Sequence, residues 1–235
     1  LIIIANQLFA WGTLKFHGWN AFTAGDVSNK GISSLNTITK QADGTTGNWL
    51  YYEDGWNNKW GDGSTSLDQK DVMTHQGSDG SFTSTDDYYY TFNFPINPAG
   101  ENGNSDYAVL ETSGNPITIS SVSSANTSGN NVLVSIALSG TKSSEENIYV
   151  RSTEDGNFSN DTFTLATGSG TSYTATVSVT SGTGTLTYYV LSTTLSWSSN
   201  NDLDNYTDLV TISYDNNSSS NYSFSYDTSL PVELT

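Results

Sequence analysis

The sequence predicts an all-β protein of two β-sandwich domains, the second immunoglobulin-like, led by an apolar N-terminal strand. Three observations predict it. Thr, Tyr, Val and Ile recur throughout, and few long stretches offer the Ala, Leu, Glu and Lys filling that helices prefer. Six Trp, 14 Tyr and 9 Phe supply enough large rings to build cores, which separates this acidic chain from a disordered one. From Ile117 onward, short runs alternate in polarity at a spacing of roughly 8–12 residues, as sandwich strands do.

A length of 235 residues suits one or two domains. Trp11, Trp19, Trp49, Trp56 and Trp60 fall early and only Trp197 falls late, which argues for two unlike domains over a repeat. The expected division is an apolar strand over 1–11, an aromatic-rich β-sandwich over 12–115, an immunoglobulin-like sandwich over 116–228 and a linker over 229–235.

The first element, "LIIIANQLFAW", is at odds with a net charge of −17 and a mean hydropathy of −0.40. As the remnant of a secretory signal it would end near "LFA", but no starting Met or positive charge precedes it. As an ordinary first strand it would alternate, whereas Leu1, Ile2, Ile3 and Ile4 are consecutive and suit a strand covered on both faces. Ten residues at about 3.3 Å each reach roughly 33 Å, enough to enter a neighbouring subunit. Strand complementation of that kind, repeated head to tail, builds a filament. Leu1, Ile2, Ile3, Ile4, Leu8 and Phe9 are the residues such an assembly strand would bury.

In the first domain "GTLKFHGW", "GNWLYYEDGW" and "DYYYTFNF" read as strands around an aromatic core. "PINPAGENGNSDY" (95–107) reads as a long loop, and "SGNP" (113–116) as the domain junction. The second domain offers "ITISSV", "NVLVSIAL", "NIYVRST", "TFTLAT", "SYTATVSV", "TLTYYVLSTT", "LVTISY" and "NYSFSY". Val132, Val134, Ile136 and Leu138 should share one face, as should Tyr173, Ala175, Val177 and Val179. In "SLPVELT", Leu230, Val232 and Leu234 alternate with Pro231 and Glu233, and Pro231 confines the segment to a sheet edge or a strand start.

The second half resembles the β-sandwich modules of secreted Bacteroidetes proteins, in which a "YVR-ST-D" strand is followed by "YYV" and a late "NYS". Its end, "SLPVELT", is similar to the linker that precedes further modules and the type IX secretion sorting domain. The resemblance covers Ile117 to Thr235. It implies export and an extracellular or cell-surface location, and no particular activity.

Seven Lys and Arg against 24 Asp and Glu argue against nucleic acid and anionic membranes as partners. No apolar run is long enough to span a bilayer. The absence of Cys excludes disulfides and cysteine zinc sites. His17 and His75 are the two histidines, and no "GxSxG", "HExxH" or phosphate loop accompanies them. Glu53/Asp54, Asp86/Asp87 and Glu145/Glu146 are adjacent carboxylates that point to opposite faces of a strand, so turn solvation explains them better than glycosidase chemistry. No enzyme and no obligate cofactor is therefore expected.

Three binding readings remain. "NNDLDNYTD" gathers Asp202, Asp204 and Asp208 with neighbouring Asn as a calcium candidate, and "STEDGNFSND" is a weaker one; Asx-rich turns are the competing explanation. Trp56 and Trp60, four apart, form either a sugar platform or part of the core. "NxS/T" marks Asn126, Asn157, Asn160, Asn205, Asn216, Asn217 and Asn221 as candidate glycan attachment sites. Together these readings favour a structural subunit of an extracellular bacterial filament, pilus-like or adhesive, whose partners are copies of itself and which can meet glycans. The alternative is a carbohydrate-binding module pair of a secreted glycan-degrading enzyme.

Overall fold

A computed structural model describes residues 15–19, 28–29, 34–40, 46–52, 58–85, 87–95, 103–126, 129–197 and 202–229, the first three segments and Asn126 by backbone alone. The assembly strand Leu1–Ile4, Leu8 and Phe9, together with Trp56 and the 230–235 tail, lies outside the described residues.

The protein is nearly all β, with antiparallel pairing between every set of strands. The first half forms β1 (Lys15–Trp19), β2 (Ser28–Asn29), β3 (Ser34–Lys40), β4 (Thr46–Tyr52), β5 (Lys59–Gly61), β6 (Lys70–His75), β7 (Gly80–Thr83), β8 (Tyr89–Pro95) and β9 (Ser105–Thr112). They join in one sheet ordered β1-β4-β5-β6-β9-β8-β3-β2, with β7 also on β4. In that order β4 and β8 are four places apart, which is roughly 19 Å in a flat sheet. Yet Trp49 of β4 lies 5.6 Å from both Phe92 and Phe94 of β8, and Tyr51 stacks on Phe94 at 4.1 Å. The sheet therefore curls over on itself through the short strands β5 and β6 and encloses its own aromatic core. Trp49, Tyr51, Trp60, Phe92, Phe94 and Tyr107 are all buried there.

The second half forms β10 (Ile119–Asn126), β11 (Asn131–Leu138), β12 (Asn147–Thr153), β13 (Thr162–Leu165), β14 (Thr167–Ser169), β15 (Ser172–Ser178), β16 (Thr183–Thr193), helix α1 (Asp202–Asn205), β17 (Ser213–Asp215) and β18 (Tyr222–Asp227). One sheet runs β10-β11-β15-β14; the other runs β13-β12-β16-β17, with β18 also on β16. Period-two alternation buries Val132, Val134, Ile136 and Leu138 of β11, and Tyr173, Ala175 and Val177 of β15 with the adjacent Val179. They pack on Ile148, Val150, Tyr188 and Val190 of the facing sheet. "TFTLAT" divides at Ala166 into β13 and β14, which pair in different sheets.

Two expectations change. The 95–107 loop ends earlier than read, because Ser105 already begins β9. β9 is buried on both faces: Tyr107 and Val109 enter the aromatic core, while Ala108 and Leu110 face the second half. "LVTISY" is mostly not a strand, since β17 starts only at Ser213. Leu209, Val210 and Ile212 instead belong to an excursion between β16 and β17, together with Leu195 and Leu203. The excursion covers the outer face of the β12–β16 sheet, where Tyr149 and Leu191 emerge, and meets Ala108 and Leu110 of β9. This third core joins the two halves.

Candidate binding cleft

Where the excursion lies against the first sheet, the seam opens into a cleft of about 530 Å³. One wall is Pro95 and Asn104–Asp106; the other is Asp204–Leu209, with Arg151 between them. Local bonds hold both walls. Asn93, two residues before Pro95 and fully buried, donates its side-chain amide to the carbonyls of Leu209 and Thr211. The Lys70 backbone N–H donates to Asp202 Oδ2 at 3.0 Å. Lys70 Nζ pairs with Asp106 at 3.2 Å and lies 5.1 Å from the Tyr206 ring centre. Desolvation opposes the Lys70 charge, but Asp106 more than offsets it and the ammonium pKa is raised.

Arg151, the sole arginine of the chain, is committed to structure. Its Nε donates to Asp161, a terminal nitrogen donates to Tyr189 Oη at 2.9 Å, and another donates to the Phe158 carbonyl at 3.2 Å. Phe158, Phe163 and Tyr189 pack around the guanidinium. Desolvation works against the charge, yet Tyr189 and Asp161 prevail and the pKa is raised. Trp197 stacks on Phe163 with ring centres 4.6 Å apart and is 38% exposed.

Asp202 bonds the Lys70 backbone, whereas Asp204 and Asp208 line the cleft. Among the described residues no three His, Cys, Asp or Glu come together as a metal site. In the 152–161 loop, Asp155 accepts bonds from Thr153, Asn157 and Asn160, an Asx turn that consumes its oxygens. Burial hardly opposes these bonds, led by the one from Thr153, and they lower its pKa to about 2.

Trp60 is core. It is fully buried, and its indole N–H donates to the Gly103 carbonyl at 3.2 Å, so it offers no face to a sugar. Of the candidate glycan acceptors, Asn157, Asn160, Asn205 and Asn217 are exposed, while Asn216 and Asn221 are partly buried; Asn126 is described by backbone only. His75 meets Asn58 at 3.3 Å and packs on Trp60; His17 is described by backbone only.

Solvation does not account for the Glu145/Glu146 pair. Glu145 accepts from the Ser113 hydroxyl at 2.8 Å and from the Ser113 N–H at 3.2 Å, tying the connection between the halves to the loop before β12. Burial opposes its charge, but the hydrogen bonds, that from the Ser113 hydroxyl first, lower its pKa to about 2. Glu146 is fully buried, and its Oε2 has no partner among the described residues. Desolvation raises its pKa. Glu53, Asp54 and Asp86 lie outside the described residues, and Asp87 is exposed in a turn.

Sequence reasoning missed the cleft because its walls come from segments far apart in the chain, one at Pro95 and Asn104–Asp106 and the other at Asp204–Leu209. The only legible hint was the polar run around Asp204–Asp208. Compared with known protein families, curated proteins and solved structures, the chain finds no match in any of the three.

Proposed function

We propose that the chain is a structural subunit of an extracellular bacterial filament, joined to the next copy by its N-terminal strand. The observation that carries this reading is the run Leu1–Ala10, uncharged and mostly apolar, in a chain of net charge −17. Burying several Ile and Leu from such a run is worth on the order of 10 kcal/mol. Among the described residues β1, β10 and β13 each pair on one side only, so strand addition has edges to use. The third core supports the same reading, because a subunit whose halves share a core transmits tension without an internal hinge. The strand order of the two 119–227 sheets supports an immunoglobulin-like second domain. The resemblance to secreted Bacteroidetes modules supports export.

Deleting Leu1–Ala10 is the test. Electron microscopy and sedimentation should show folded monomers that no longer elongate. Filaments of unchanged length would refute the reading. The cleft favours a second reading, a carbohydrate-binding module pair of a secreted enzyme.

A further inference from the structure

We infer that the seam cleft binds a neutral oligosaccharide. The inference holds for either reading above, since a filament can carry the cleft as its adhesive site and an enzyme can carry it as a targeting site.

The lining decides the ligand class. Asp106, Asp204 and Asp208 disfavour phosphate, sulfate or carboxylate ligands, and the one guanidinium present is already engaged by Asp161, Tyr189 and the Phe158 carbonyl. A lipid or other apolar ligand would have to desolvate those carboxylates together with Asn104 and Asn205, without hydrogen bonds in return. A ligand rich in hydroxyl groups meets neither penalty. Its O–H groups donate to the carboxylates and amide oxygens, while its C–H faces rest on Tyr206, Pro95 and Leu209. A volume of about 530 Å³ lies within the usual range of small-ligand sites.

Preorganisation is the second, independent ground. Sugars lose strong hydration on binding, so a site gains most when its own walls need no ordering. Here the Asn93 bonds to Leu209 and Thr211, the Lys70–Asp202 bond and the Lys70–Asp106 pair fix both walls before any ligand arrives. Placement between two packed β units is also where ligand clefts concentrate.

The experiment is an amide-resolved NMR titration of the full chain with cellotriose, xylotriose, mannotriose and maltotriose, and with trigalacturonate as an anionic control. At least one neutral trisaccharide should give saturable shifts at Asn104–Asp106 and Asp204–Leu209, and trigalacturonate should not. The exposed pair Asp204→Ala/Asn205→Ala should weaken binding roughly ten-fold or more, as lost ligand hydrogen bonds do. Asn160→Ala, in a separate loop, should leave binding unchanged. A second variant, Tyr206→Leu, keeps an apolar side chain against the third core and should weaken binding with the melting temperature preserved. The inference is overturned if no neutral sugar shifts these amides, if shifts map to Trp197 or elsewhere, if the double variant binds as the parent does, or if trigalacturonate binds tighter.

Discussion

The side-chain amide of Asn93 donates to the Thr211 carbonyl at 2.9 Å, tying β8 to an excursion 118 residues further along the chain. A second bond from the same nitrogen reaches the Leu209 carbonyl. The opposite oxygen, Asn93 Oδ1, is buried with no partner among the described residues. At this point of the seam, one amide is oriented by the two carbonyls it serves.

Asn93→Ala should remove both of these buried hydrogen bonds and cost about 2 kcal/mol. Asn93→Asp should cost more, because it sets a buried acceptor against two acceptors. Urea denaturation gives both values, and a loss within error of zero for the Ala variant would show that water replaces the bonds.

Leu110→Ala should destabilise both halves at once by about 2–5 kcal/mol, because Leu110 packs in the core they share. The indole N–H NMR signals of Trp49 and Trp60 in the first half should move together with the methyl signals of Val134 and Val177 in the second. Two separated transitions would mean that the seam is only an area of contact.

Part of the acid stability should come from Glu145. Its pKa is lowered in the fold, so its contribution is fully present above its ordinary value of 4.5 and is lost as pH falls toward about 2. Glu145→Gln should flatten the stability profile across that window and leave neutral pH nearly unchanged. A profile superimposable on the parent's would place the acid sensitivity elsewhere.

Glu146 has the opposite sign. Its raised pKa gives stability that is present at low pH and is lost as pH rises through the folded value. Glu146→Gln should therefore raise the melting temperature at pH 7–8, and the gain should shrink on acidification. The contrast with Glu145, its immediate neighbour, is readable in one pair of pH-resolved melting series.

Gly80 faces Trp49 across the β4–β7 ladder, and a Cβ there would lie 2.2 Å from the indole. That indole is pinned by its N–H bond to Thr65 at 2.8 Å and by rings on three sides. Gly80→Ala should cost about 1–3 kcal/mol through overpacking. Unchanged stability in thermal or urea melts would show that the aromatic core can shift as a body.

The sequence by itself determined the strand content and, in the second half, most of the strands, because a strand with one face in water and one in a core alternates at period two. β11 and β15 are legible for that reason. The start of β9 falls inside the 95–107 loop reading and its remainder carries no strand signal, because "YAVL" is buried on both faces and does not alternate. "LVTISY" was misread for the complementary reason: its apolar residues cover another sheet and do not lie within one. Trp60 could be placed either in a core or on a platform from spacing alone, since four residues along a strand return to the same face whichever face that is. Only the tertiary structure decided that the first sheet curls onto itself, that the halves share a core, that Glu146 is buried while Glu145 is not, and that Asp204 and Asp208 line a cleft. Each of these depends on which distant surfaces meet. Local periodicity records how a segment divides its own faces between solvent and interior, and it holds no information about which partner supplies that interior.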